Sequence, residues 1–135
     1  MTYEDFLGRV RERALLPGNE QTERLIRALG GALADRVEQG ALEPVRERLP
    51  VEVAAYFRGS ESADPFQLDA LFRRVSAETG ADIPATVQHC QAVMSVVTEA
   101  AGEDAMRRLR EQLPVSWNRL FPTGAYYEPP RPRTT

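Results

Sequence analysis

The stretch RERLPVEVAAYF at residues 46–57 returns, altered, as REQLPVSWNRLF at residues 110–121. Arg46, Glu47, Leu49, Pro50 and Val51 recur as Arg110, Glu111, Leu113, Pro114 and Val115, a constant shift of 64. The same shift carries Thr22 onto Thr86, Ala28 onto Ala92, Ala41 onto Ala105 and Phe57 onto Phe121. Near the start the shift is 65, with Arg9 and Val10 falling on Arg74 and Val75. The slip of one residue lies in the turn between the first two helices, where an insertion disturbs least. The pattern is that of a duplicated unit.

Working outward, each copy reads as four helices. Thr2 with Asp5 forms a capping-box pattern, and Phe6, Leu7 and Val10 follow at helical spacing. LPGN breaks this helix, and Asn19 is the expected cap of the next. Leu25, Leu29, Leu33 and Val37 form its buried stripe, which Gly40 is expected to end. A third helix is expected over 42–49, stopped by Pro50, and a fourth in VEVAAYF. Then the order restarts. Asp64 is the expected cap and Pro65 the first position of the fifth helix, with Leu68, Leu71, Phe72 and Val75 inward. Asp82 and Pro84 open the sixth, Glu103 and Asp104 the seventh, and VSWNRLF is the eighth. Trp117 is expected to point inward, at the place Val53 holds in the first copy. No stretch alternates like a strand. The expectation is an all-α, eight-helix bundle of two tandem four-helix repeats with approximate twofold symmetry. The repeats are 1–58 and 64–121, joined by a linker at 59–63 and followed by an extended or disordered tail at 122–135. Neither repeat has much core alone, so the two are expected to share one.

This order resembles a known family. YEDFLGRV opens the chain, an alanine-rich second helix follows, a short helix ends in LP, and YF or LF closes each half. It is similar to the bacterial domain-of-unknown-function family 2267 over residues 1–121. The resemblance implies an all-helical duplicated fold. It supplies no catalytic residue to carry over. The sequence departs from the usual charged surface in its long sixth helix, which bears no formal charge over 83–98.

Composition excludes several kinds of chemistry. All 17 basic residues are arginine, so lysine Schiff bases and phosphate-loop lysines are absent. One cysteine, Cys90, allows no internal disulfide, and one histidine, His89, allows no multi-histidine metal site. No cofactor is expected. A net charge of -3 argues against a nucleic-acid partner. No apolar run has the length of a membrane span, and no secretory leader opens the chain, so a cytoplasmic location is expected.

Candidate sites are few. His89 and Cys90 adjoin, but neighbours on a helix point about 100° apart and do not form a dyad. Thr86 stands where a Glu-x-x-His di-iron motif would need glutamate. Arg46 and Arg110 hold equivalent places and would face one anion under twofold symmetry; each also suits the last turn of its helix, where a cation complements the dipole. Arg107, Arg108 and Arg110 form the densest basic patch, but Glu103, Asp104 and Glu111 surround it. Gln88, Gln91, Ser95 and Thr98 give the sixth helix a neutral side, covered either by the rest of the chain or by another molecule. The prolines of the tail, with Tyr126 and Tyr127, would suit a short partner-binding peptide. The leading expectation is a non-catalytic protein acting by protein–protein interaction or as a homodimer. The alternatives are a small-molecule binder with an apolar cleft between the repeats, and an enzyme working with arginine and carboxylates alone.

Overall fold

The protein is described here from a computed structural model covering residues 1–58 and 64–121. The expected linker at 59–63 and tail at 122–135 lie outside the described residues. Seven α-helices and one 3₁₀ helix make up the fold, with no strand among the described residues: α1 Tyr3–Ala14, α2 Asn19–Arg36, α3 Gln39–Arg46, α4 Val51–Tyr56, α5 Leu68–Thr79, α6 Ile83–Ala101, α7 Glu103–Glu111, and the 3₁₀ helix Val115–Leu120.

Several ends follow their local chemistry. The Thr2 hydroxyl accepts from Asp5 N at 3.1 Å and the Asp5 carboxylate accepts from Thr2 N at 3.4 Å, completing the capping box of α1. Asp82 caps α6 by accepting from Ala85 N at 2.9 Å. Gly80 closes α5 in the left-handed conformation, φ 83°.

Other ends depart from expectation. Gly18, not Asn19, caps α2, because the Asn19 amide oxygen accepts from Arg11 Nη1 at 2.7 Å. The helix stops at Arg36 rather than near Gly40; Val37 turns extended while staying buried, and Gly40 lies in the first turn of α3. Helix α3 therefore starts earlier than expected and carries Pro44 inside it. Helix α5 begins at Leu68, not at Pro65. Gln67 takes the cap position instead, and Asp64, three residues earlier, donates its backbone N–H to Asp35 O at 2.8 Å, at the end of α2. The last element tightens to i→i−3 bonds, with Trp117 N donating to Pro114 O at 2.9 Å.

Packing crosses between the halves. Helix α5 lies most extensively on α2, and α1 on α6, while α1 also packs on α2 and α5 on α6. Helices α3 and α7 pack on each other, as do α2 and α6. The inward side chains form one cluster drawn from both halves, including Phe6, Val10, Leu29, Leu33, Leu71, Val75, Met94 and Trp117. Gly30 marks the closest approach: a Cβ there would stand 2.7 Å from Tyr56 O, so α4 rests its backbone on α2. Among the described residues no helix is long and apolar enough to cross a membrane.

Candidate functional site

The neutral side of α6 is largely taken up within the chain. Residues 92–97 are all buried. The Gln91 amide donates to Arg119 O at 2.8 Å, and Arg13 donates to the Ser95 hydroxyl at 2.9 Å. The Thr98 hydroxyl donates back to Met94 O at 2.7 Å. Of the four expected residues only Gln88 is exposed. One turn beyond Ser95, Glu99 takes Arg9 at 3.0 Å and Arg13 as well, fastening α1 to α6. On the opposite crossing, Arg74 of α5 reaches Asp35 of α2 at 2.8 Å.

Arg46 and Arg110 each turn to their own half. Arg46 Nε donates to Ala54 O at 3.0 Å and its Nη1 pairs with Glu43 at 3.0 Å, binding the end of α3 to α4. Arg110 Nη2 stands 3.7 Å from Glu103, and its Nη1 is buried with no partner among the described residues. Two surface clefts flank the α3–α7 pair, of about 460 and 390 Å³. Both are lined by Pro44 and Arg108, and neither by Arg46 or Arg110. The first adds Glu47, Arg48 and Asp104; the second adds Glu111, Gln112 and Gly40. These partners are related by 64 residues, as Glu47 and Glu111 show. Carboxylates line both clefts, so an anion meets opposition in either.

His89 and Cys90 point into different surroundings. Cys90 is fully buried, and burial pushes its thiol up to about 12, far from the thiolate that nucleophilic chemistry needs. His89 is half-buried, and desolvation holds its pKa below the ordinary value, partly opposed by Asp82. His89 opens on a cavity of about 90 Å³ that both halves build. Leu16, Gln21, Arg24 and Leu25 come from the first half; Thr79, Ala81 and His89 come from the second. No local motif announces this recess, because turns and helices from separate stretches close it.

Two further features escaped the sequence. The Tyr3 phenol donates to Glu23 at 2.6 Å; burial first, and then this carboxylate, push its pKa up. Arg27 lies 5.4 Å from the centre of the nearby Tyr56 ring. The second feature is Leu15, which ends α1 in the left-handed region at φ 58° and is 81% exposed. Its position is 65 residues before Gly80. A helix ending at LLPG gave no sign that Leu15, and not Gly18, would take that conformation.

Trp117 sits inward as its spacing predicts, packed against Phe66 at 6.0 Å between ring centres and under Arg36 at 5.3 Å. Among the described residues no group of three histidine, cysteine or carboxylate side chains stands close enough to hold a metal ion.

A family model described as an uncharacterized conserved protein (DUF2267) matches residues 3–120, and the chain belongs to that family. No curated protein matches it.

Proposed function

We propose that this member of the family is a non-catalytic cytoplasmic protein that acts by binding a macromolecular partner, either another protein or a second copy of itself. We further propose that it is built from two copies of one four-helix unit about an approximate twofold axis.

Leu15 carries the binding part of this reading. The left-handed conformation costs an L side chain about 1–2 kcal/mol. Leu15 accepts that strain while 81% exposed, so packing within the chain returns little of it. At the matching place Gly80 adopts the same region without a side chain to strain. The turn itself closes α1, with Leu15 N donating to Glu12 O at 3.3 Å and Leu16 N to Arg11 O at 3.0 Å. Glycine would serve that turn without strain, so an exposed leucine there fits a residue kept for contact. Val51 and Val115, each directly after a proline, are 77% and 82% exposed and add two equivalent apolar points.

The duplication is supported by the reciprocal crossings α1 on α6 and α5 on α2. The ion pairs Arg9–Glu99 and Arg74–Asp35 belong to those same crossings. Buried Thr22 and Thr86 both bond the carbonyl four residues back, at 2.8 Å each. The two clefts beside α3 and α7 share this correspondence.

A photoreactive residue placed at position 15 of the full chain, in living cells, tests the binding reading. It should form a covalent adduct of defined mass, absent when the same residue replaces exposed Arg73. Equal labelling at both positions, or none at position 15, would overturn it.

A further inference from the structure

We propose that the cavity between the halves at His89 binds a short-chain carboxylate, gripped by Arg24 and His89 with its alkyl end against Leu16 and Leu25. The shape sets the size. About 90 Å³ is the space of roughly three waters, enough for an acid of about two to four carbons. The lining sets the chemistry. Leu16, Leu25 and Ala81 give an apolar wall, and Gln21, Arg24, Thr79 and His89 the polar groups.

Thr79 is already engaged. Its hydroxyl donates to Val75 O at 2.9 Å and accepts from Ala81 N at 3.4 Å. That leaves the guanidinium of Arg24, the ring of His89 and the amide of Gln21, all able to donate. Among the described residues no carboxylate lines this cavity, and Arg24 pairs with none; Asp82, whose charge reaches His89, stands outside the lining and accepts from Ala85 N. The larger clefts beside α3 and α7 differ on this point, since Glu47 and Asp104 line one and Glu111 the other. A recess that offers donors and one unpaired cation beside aliphatic walls matches a carboxylate with a short alkyl tail. Free phosphate matches only the donors and finds no use for the apolar wall.

The single histidine makes the test direct, because the full-length protein has one set of imidazole carbon-bound proton signals to follow by NMR. Acetate, propionate and butyrate are titrated at constant pH and ionic strength, with chloride and phosphate as controls. Propionate should move the His89 signals along a saturating curve with a dissociation constant of roughly millimolar order. In Arg24→Gln, an exposed substitution whose folding is checked by its melting curve, the affinity should fall roughly tenfold or more, as loss of a charge-assisted hydrogen bond requires. Ala81→Leu, which fills the recess, should abolish the saturating response while Arg24 remains. A linear drift without saturation would overturn the proposal. So would an equal response to chloride or phosphate, or unchanged affinity in folded Arg24→Gln.

Discussion

Arg74 Nη2 stands 2.8 Å from Asp35 Oδ2, tying α5 of the second half to the last turn of α2 in the first. The opposite crossing has its own tie, where Glu99 of α6 receives Arg9 and Arg13 of α1. These pairs hold register more than they stabilise, because their side chains are 40–55% exposed at Arg74 and Asp35.

Substituting them should therefore have small, ranked effects. Asp35→Asn should lower unfolding free energy by under about 1 kcal/mol, the usual range for exposed pairs. Glu99→Gln should lower it more, since it strips the partner from two arginines, one of which also holds Ser95. Urea denaturation of both variants gives the ranking, and high salt should narrow the difference.

Adjacent glycines in α2 should respond in opposite directions. Gly31→Ala meets nothing within 4 Å and should stabilise by about 0.5–1 kcal/mol through helix propensity. Gly30→Ala places a methyl 2.7 Å from Tyr56 O, against backbone that cannot rotate away. It should destabilise, with a loss of about 1–3 kcal/mol typical of overpacking. Thermal melts of the two variants side by side decide this.

Leu15→Gly should raise the melting temperature, since it relieves left-handed strain and gives up an exposed side chain. A net gain of about 0.5–1 kcal/mol is expected after the greater freedom of glycine in the unfolded chain is deducted. Gly80→Leu, placing leucine at φ 83°, should lower it. If Leu15 is a contact residue, the stabilised variant is also the one that binds less.

The lone histidine gives stability a pH dependence whose sign follows from its burial. Desolvation holds His89 below its ordinary 6.5, so the folded chain binds this proton less readily than the unfolded chain. Its contribution is complete above the unfolded value and declines as pH falls through about 6.5 toward the lower folded value. Unfolding free energies at pH 7.5 and 5.5 should differ less in His89→Gln than in the native chain.

Much of the fold was legible because it rests on local signals. Thr2 and Asp5, Asp82, and the stripes of leucine and valine placed the helices in order, and Trp117 inward. The errors fell where tertiary contacts overrode a local rule. Asn19 serves Arg11 instead of capping, Asp64 is held by Asp35 O, and Val37 turns the chain before Gly40 can. The candidate site was less legible. The neutral face of α6 stood out by its missing charge, yet whether Ser95 met solvent, a partner or Arg13 depended on packing across the halves. The recess at His89 was hidden for the same reason, since Arg24 and His89 are distant in sequence and only the fold joins them.

The interlocking of the two halves is tested most directly by native-state hydrogen exchange on the full chain, followed peptide by peptide across denaturant concentrations. Buried helical amides of α1, α2, α5 and α6 should all reach the same maximal opening free energy, equal to that of global unfolding. A second half that opened at a distinctly lower free energy, while α1 and α2 stayed protected, would contradict the shared core.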